Sequence, residues 1–327
     1  MSLPFLDPAQ ALLDGRFPLP LDAPFTTAQA AQCHISATAL TRLVRAGLLR
    51  RMVSGVYVAA QAKDTLRLRA AALRLVVPPG GVVTDRTAGW LHGAPRILTP
   101  GDHLEVPRLS VFHRSRGCRL RNGLTSSGQR MMPDSDVMMV DGVLVTTPLR
   151  TACDLGRLLK RGQAFAALCM MLRLGSFSQE ELLEAATGFK GFRWVRQLRQ
   201  LAPEADGRVQ SPGEAAVLRG WLDCPGLPRP EPQRPVRAPR WVSGGLYFVD
   251  LGVDDLRFGV EYDGERFHGV DQVEHDEDRR DWITGEERWV LRVVGRHNVY
   301  GSTRNLDEIL HAGIVEARRT VGHRLGR

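Results

Sequence analysis

Lysine is almost missing from this chain: Lys63, Lys160 and Lys190 are the only three among 44 basic residues, and the rest are arginine. A GC-rich genome explains most of that bias, since its codons favour arginine. One consequence is chemical: beyond Lys190 no ammonium is available for catalysis. Cysteine is also scarce. Cys33, Cys118, Cys153, Cys169 and Cys224 are odd in number, scattered, and never spaced as Cys-x-x-Cys. That excludes a disulfide framework and a structural cysteine–zinc site, and it fits a reducing cytoplasm. No apolar run approaches the roughly 18 residues that span a bilayer, and no basic segment followed by an apolar core opens the chain. The sequence therefore predicts a cytoplasmic protein with no membrane partner. What remains is ordinary globular composition, 43% hydrophobic and 24% charged over 327 residues. Two or three compact units are expected from that length.

The net charge of +8 is unevenly spread. Residues 1–200 carry 26 Lys+Arg against 14 Asp+Glu, a balance of +12, and residues 201–327 carry 18 against 22, a balance of −4. A basic front attracts polyanions, whereas clustered carboxylates hold metal or repel phosphate. The two ends are built for different work.

Residues 1–23 are Pro-rich and aperiodic, and read as an arm. Over residues 24–79, Thr26 or Thr27 caps a short helix and Ser36 caps a second one, to about Ala46. Gly47 ends it, and Ser54-Gly55 joins two strand-like runs. Helix, turn, helix and hairpin is the order of a winged helix-turn-helix. Its second helix turns Thr38, Thr41, Arg42 and Arg45 outward toward a major groove, and Arg50 and Arg51 of the hairpin toward phosphate. Winged helices also mediate protein contacts, but the basic excess favours DNA.

Residues 80–203 read as a mixed α/β module, regulatory or dimerising. It has strands at Asp102–Leu109 and Val137–Val145, the latter turned at Asp141-Gly142, and helices from Thr147-Pro148 onward. Met131-Met132 and Met138-Met139 read as core filler, as do Trp221, Trp241 and Trp289 further on. His92 and His103 receive no role. Residues 204–327 read α, β, β, α, β, α, with a Pro-dense stretch at Pro225–Arg240 suited to an edge strand.

The sharpest chemistry lies in that last segment. Asp250 interrupts an apolar strand, where a lone carboxylate is costly without partners. Glu261 sits on the next strand, opposite or diagonal to it, and Asp263 shares its face. Glu214, on the preceding helix, can add a third carboxylate. Converging oxygens suit Mg²⁺ or Mn²⁺, and such an ion activates water against a phosphodiester. The expected metal set is Asp250, Glu261 and Glu214, and His268 is placed to assist proton transfer. The alternative is that a charged surface hairpin simply carries carboxylates, which suits Asp254, Asp255 and Glu265.

Ser211-Pro212-x-Glu214, Asp250, Val260-Glu261-Tyr262-Asp263-Gly264 with His268, Asp278-Arg279-Arg280 and Trp289-Val290-Leu291-Arg292 together resemble the Vsr-like branch of the PD-(D/E)xK nucleases, over about residues 208–300. The resemblance implies a Mg²⁺-dependent DNA-cutting fold, α/β and restriction-endonuclease-like, with a central mixed sheet. It makes Glu214, Asp250 and Glu261 acidic site residues and puts Asp263 where the superfamily's name has lysine. His268 falls at the position of a histidine seen in this branch. Arg279, Arg280 and Arg292 can supply positive charge near the scissile phosphate, or stand as solvated helix and strand-end residues.

The front half has its own resemblance. Phe25-Thr26-Thr27, Arg50-Arg51 with Gly55-Val56-Tyr57, Ala88-Gly89-Trp90-Leu91-His92-Gly93 and Thr146-Thr147-Pro148-Leu149-Arg150-Thr151-Ala152-x-Asp154-Leu155 are similar to the AbiEi-type antitoxin and transcriptional-regulator family, over about residues 20–200. That implies a winged helix and a second, regulatory module, with no catalytic residue. The whole reading is an α+β multidomain, DNA-binding protein, with a homodimer as its expected assembly. Two functions compete: a metal-dependent endonuclease positioned by a winged helix, or a repressor and antitoxin with a cognate toxin partner and an inactive nuclease fold. A third, nicking at a mismatch or damaged base, rests on fold analogy alone.

Overall fold

The computed structural model describes residues 12–94, 97, 108–115, 125–264 and 270–325. It is a mixed α/β structure with three sheets and twelve α-helices among the described residues. The chain divides into two compact units, Met1–Leu155 and Gly156–Arg327.

The first unit opens with β1 (Phe25–Thr26), α1 (Thr27–Gln32), α2 (Ala37–Arg45), β2 (Leu49–Val53) and β3 (Val56–Ala59). Thr26 caps α1 in a capping box with Gln29, and the Ser36 hydroxyl accepts from the Ala39 amide to start α2. Gly47, at φ +71°, ends α2, and the three strands pair in the order β1-β3-β2. Ala39, Leu40 and Leu43 of α2 turn inward onto Phe25, Ile35 and Leu49. Residues 12–23, expected as part of an arm, are anchored here. Leu13 and Phe17 are buried in this core, and the Gln61 amide brackets the Leu13 backbone with bonds of 3.1 and 2.7 Å.

The hairpin β2–β3 also feeds a second core. Met52, Val53, Val56 and Val58 pack with α3 (Leu66–Arg74), α4 (Asp85–Leu91) and a five-stranded sheet. That sheet comprises β4 (Val82–Val83), β5 (Leu109–His113), β6 (Thr125–Gln129), β7 (Val137–Val140) and β8 (Val143–Thr146), in the order β6-β5-β4-β8-β7. The β7–β8 hairpin turns at Asp141-Gly142 as expected, both with positive φ. Most of the strand expected at Asp102–Leu109 lies outside the described residues, and β5 begins at Leu109. The methionine expectation needs correcting: Met132 is buried, but Met131, Met138 and Met139 are exposed, the last two on the edge strand β7.

Buried charge ties this unit together. Arg130 grips Asp85 at 2.6 and 3.0 Å, reaches Asp154 at 3.2 Å, and lies over the Phe112 ring at 3.9 Å. Arg150 meets Asp154 at 3.0 Å, and it also pairs with Asp136 and donates to the Met131 carbonyl. Arg150 and Asp154 belong to α5 (Pro148–Leu158) and are almost fully buried. An unpaired charge there would be expensive, so each arginine answers a carboxylate. The Thr146 and Thr151 hydroxyls bond each other at 2.7 Å, and the Thr147 hydroxyl accepts from the Arg150 amide. The Thr146-to-Leu155 motif is thereby a structural staple.

The second unit begins with α6 (Arg161–Leu172), α7 (Gln179–Gly188), α8 (Val195–Leu201) and α9 (Pro212–Leu222). Ser211 caps α9, with Pro212 at its first position. There follow β9 (Glu231–Arg237), β10 (Leu246–Val253), β11 (Phe258–Asp263), α10 (Val270–Gly285), β12 (Val290–Gly295), α11 (Arg296–Val299) and α12 (Leu306–Leu325). The sheet runs β12-β11-β10-β9, antiparallel across β9, β10 and β11 and parallel between β11 and β12, where α10 makes the crossover. β9 is the edge strand expected from its prolines: Pro232 and Pro235 lack the donor that a central strand needs. α9 and α12 cover one face. Trp221 of α9 packs on Phe258 with ring centroids 5.4 Å apart, and Gly313 of α12 lets the backbone close on the same ring. On the α10 side, Ile283 packs with Val236, Val249 and Trp289. Trp221 and Trp289 are core as expected. Trp241 is not: it sits on the hairpin turn between β9 and β10 and is 81% exposed.

Candidate functional site

The first candidate surface is the outer face of α2. With Ala39, Leu40 and Leu43 inside, the 3.6-residue period leaves Thr38, Thr41, Arg42 and Arg45 exposed. Thr41 bonds back to the Ala37 carbonyl at 3.1 Å. Neither Arg42 nor Arg45 forms an ion pair among the described residues, so both guanidinium groups face water. The hairpin arginines differ from each other. Arg50 is half-buried, donates to the Ala62 carbonyl at 2.8 Å and lies 3.9 Å from Asp64, so it braces the hairpin. Arg51 is exposed, bonded to the Ser54 hydroxyl at 3.2 Å beside the Tyr57 ring.

The second is the carboxylate cluster of the C-terminal sheet. The β10–β11 ladder runs through Val253↔Phe258, Gly252↔Gly259 and Leu251↔Val260. At the next position the Asp250 side chain takes over, its Oδ2 accepting from the Tyr262 amide at 2.8 Å. Burial and then repulsion from Glu214 push its carboxyl up to about 7, with Glu261 adding to the rise. The Tyr262 amide and Arg279 oppose that shift.

Glu261 is buried and clasped by two consecutive residues of α10, Arg279 at 2.6 Å and Arg280 at 2.9 Å. Arg279 also donates to the Phe248 carbonyl at 2.8 Å, joining β10 to β11. Glu214 accepts from the Gln210 amide at 2.8 Å and from Gln233 at 3.4 Å, and burial raises its carboxyl above the ordinary range.

The structure does not gather every expected residue. Asp263, at the end of β11 in register with Gly295, is exposed. Arg292 pairs with Glu316 of α12, apart from the α10 arginines that hold Glu261. His268 lies outside the described residues. No group of three His, Cys, Asp or Glu side chains among the described residues is arranged to hold a metal ion. With Glu261 paired to two guanidinium groups, only its Oε2 hydrogen-bonded and its buried Oε1 without a hydrogen bond, and with Asp250 bonded to an amide, the described side chains do not fit Mg²⁺ or Mn²⁺ as they stand. What they can do is hold a proton: Asp250 exchanges one near neutral pH, beside a fixed ion pair.

Sequence reasoning missed the Arg130–Asp85–Asp154–Arg150 network. Its only sequence signal is the i,i+4 spacing of Arg150 and Asp154, since Asp85 and Arg130 are remote along the chain.

Comparison with known proteins adds the family. A model described as the AbiEi antitoxin C-terminal domain matches residues 80–204, and one described as a transcriptional regulator, AbiEi antitoxin, matches residues 24–60. Two proteins of Mycobacterium tuberculosis are similar over 232 residues: Uncharacterized protein MT2308 of strain CDC 1551 / Oshkosh and Uncharacterized protein Rv2248 of strain ATCC 25618 / H37Rv. Each is 32% identical, over 69% of this chain and 77% of its own length. The chain belongs to the family of these two mycobacterial proteins. It carries AbiEi antitoxin family domains in its first 204 residues. No helix among the described residues is long and apolar enough to cross a membrane.

Proposed function

We propose that this protein is a DNA-binding transcriptional regulator of the AbiEi antitoxin type, with a cognate toxin as its protein partner. In this reading α1, α2 and the β2–β3 hairpin act as a winged helix-turn-helix. The observation that carries it is the outer face of α2. There Thr38, Thr41, Arg42 and Arg45 stand together, exposed, with neither arginine in an ion pair among the described residues. Such a face offers hydroxyls and guanidinium groups to base edges, while Arg51 at the hairpin reaches phosphate. Arg50 holds the hairpin in shape instead. The AbiEi domains support the toxin partner.

Binding of the full chain to a duplex of its own promoter, followed by fluorescence anisotropy, tests the proposal. Arg42→Ala with Arg45→Ala should weaken binding at least about tenfold and flatten the salt dependence by about one unit for each phosphate no longer neutralised. Unchanged affinity would remove α2 from the interface. Co-expression with the product of the adjacent reading frame tests the partner: a complex that survives gel filtration is expected.

A second reading is an endonuclease in the C-terminal unit. It is supported by Asp250 and Glu261 on neighbouring strands, with Glu214 close enough to raise the Asp250 carboxyl. It requires Glu261 to leave its two arginines. Nicking of supercoiled plasmid in Mg²⁺ or Mn²⁺, abolished by EDTA and by Asp250→Asn, would establish it. Intact plasmid under all these conditions would leave the regulator alone.

A further inference from the structure

The turn between β9 and β10 places an indole where folding alone gives it no reason to be. Trp241 is the most exposed large apolar side chain among the described residues, at 81%. It is held there by a built loop. The Val242 amide donates to the Pro239 carbonyl at 3.0 Å, making Arg240 and Trp241 the central pair of a turn. Below them the Ala238 amide donates to the Gly245 carbonyl at 2.9 Å and closes the hairpin. Gly244 and Gly245 both adopt positive φ, +82° and +63°, which gives this tip its shape.

The tip is also fastened sideways. The Trp282 indole of α10 donates to the Arg237 carbonyl at 2.9 Å, and its ring meets Trp241 edge to face at 6.0 Å. At 81% exposure, the Trp241 ring remains open to a planar ligand.

Charge along the hairpin itself has one sign, although exposed Asp278 and Asp281 of α10 precede Trp282 in sequence. Pro232–Val249 contains Arg234, Arg237 and Arg240 and not one Asp or Glu. Arg234 is spent on Glu231 and Asp254, both at 2.9 Å. Arg237 and Arg240 are exposed and form no ion pair among the described residues. A fixed, exposed indole flanked by free guanidinium groups is the chemistry that stacks a base and tracks a phosphate backbone. A base inside a duplex hides its faces, so an unpaired strand is the fitting occupant.

We propose that the β9–β10 hairpin tip, through Arg237, Arg240 and Trp241, binds single-stranded nucleic acid. The site is independent of the duplex-binding face assigned to α2.

The test uses the full-length protein and a fluorescein-labelled oligothymidylate of about 20 nucleotides, long enough for one such site, read by anisotropy in low salt. Trp241→Ala should weaken binding about tenfold, and Trp241→Phe should keep it within about threefold of the parent. Arg237→Ala with Arg240→Ala should reduce the salt slope by about 0.7 per arginine, as expected for single strands. Circular dichroism melts matching the parent would show that these surface variants fold. Arg42→Ala with Arg45→Ala should weaken duplex binding at least about tenfold and retain oligothymidylate, which separates this proposal from the regulator reading. Equal oligothymidylate affinity in Trp241→Ala and the parent would overturn it, as would no binding by the parent at micromolar protein. A change of oligomeric state in Trp241→Ala without loss of oligonucleotide binding would assign the tip to a protein interface, and would equally overturn it.

Discussion

Asp250 carries the clearest residue-level consequence. Its carboxyl is raised to about 7 in the folded protein, against an ordinary value near 3.8. Between those values the folded state binds more protons than the unfolded chain, so this residue makes stability fall as pH climbs through that window. Asparagine carries no charge and keeps an oxygen for the Tyr262 amide. Asp250→Asn should therefore match the parent near pH 4 and exceed it by about 1–2 kcal/mol above pH 7, after allowance for solvent screening. Urea melts at both pH values measure this, and a parallel pH dependence in both proteins would contradict it. Arg150 predicts the opposite kind of effect. Arg150→Met leaves Asp154 buried with one partner fewer, and should cost about 3–5 kcal/mol in the same assay.

At the scale of elements, close backbone approaches shape the packing in ways that sequence patterns do not announce. A Cβ on Gly213 would lie 2.0 Å from Cε1 of Tyr262, because α9 sits almost directly on β11. Gly213→Ala must displace the Tyr262 ring, and should destabilise by about 1–3 kcal/mol in chemical denaturation. Most elements are legible from caps and turns. Thr26, Ser36 and Ser211 cap helices where their hydroxyls predict, and Asp141-Gly142 turns a hairpin. β6 is not legible, because Thr125–Gln129 is polar and small; it is a strand by virtue of pairing in parallel with β5. β4 is too short to leave a pattern at two residues. Asp250 and Glu261 are legible because carboxylates interrupt apolar strands. Their arginine clasp is not, since the sequence of α10 does not say which side faces the sheet. Trp241 misleads for the same reason: hydrophobicity predicts burial, whereas turn geometry puts it outside.

For the whole molecule, the balance of +12 over residues 1–200 predicts strong, salt-sensitive attraction to any duplex. The logarithm of affinity for a random-sequence duplex should fall linearly with that of salt, with a slope near about −0.9 for each phosphate neutralised. Titrations between about 50 and 200 mM salt check this, and a flat response would mean that the excess charge is not presented to DNA. Retention of specific over random duplex as salt rises would then report the hydroxyl and base-edge contacts of α2.

The bond from the Tyr262 amide to Asp250 has a spectroscopic consequence. Elsewhere along β11 the backbone pairs with backbone, and its hydrogen bonds do not titrate. Here a strand amide is read by a carboxyl that changes charge near pH 7. Its proton resonance should move downfield as Asp250 ionises, with a midpoint near neutrality, and its exchange with deuterated water should slow over the same range. Asp250→Asn should flatten both curves. The sheet thus contains a single-atom pH electrode at the centre of its carboxylate cluster, readable without any ligand.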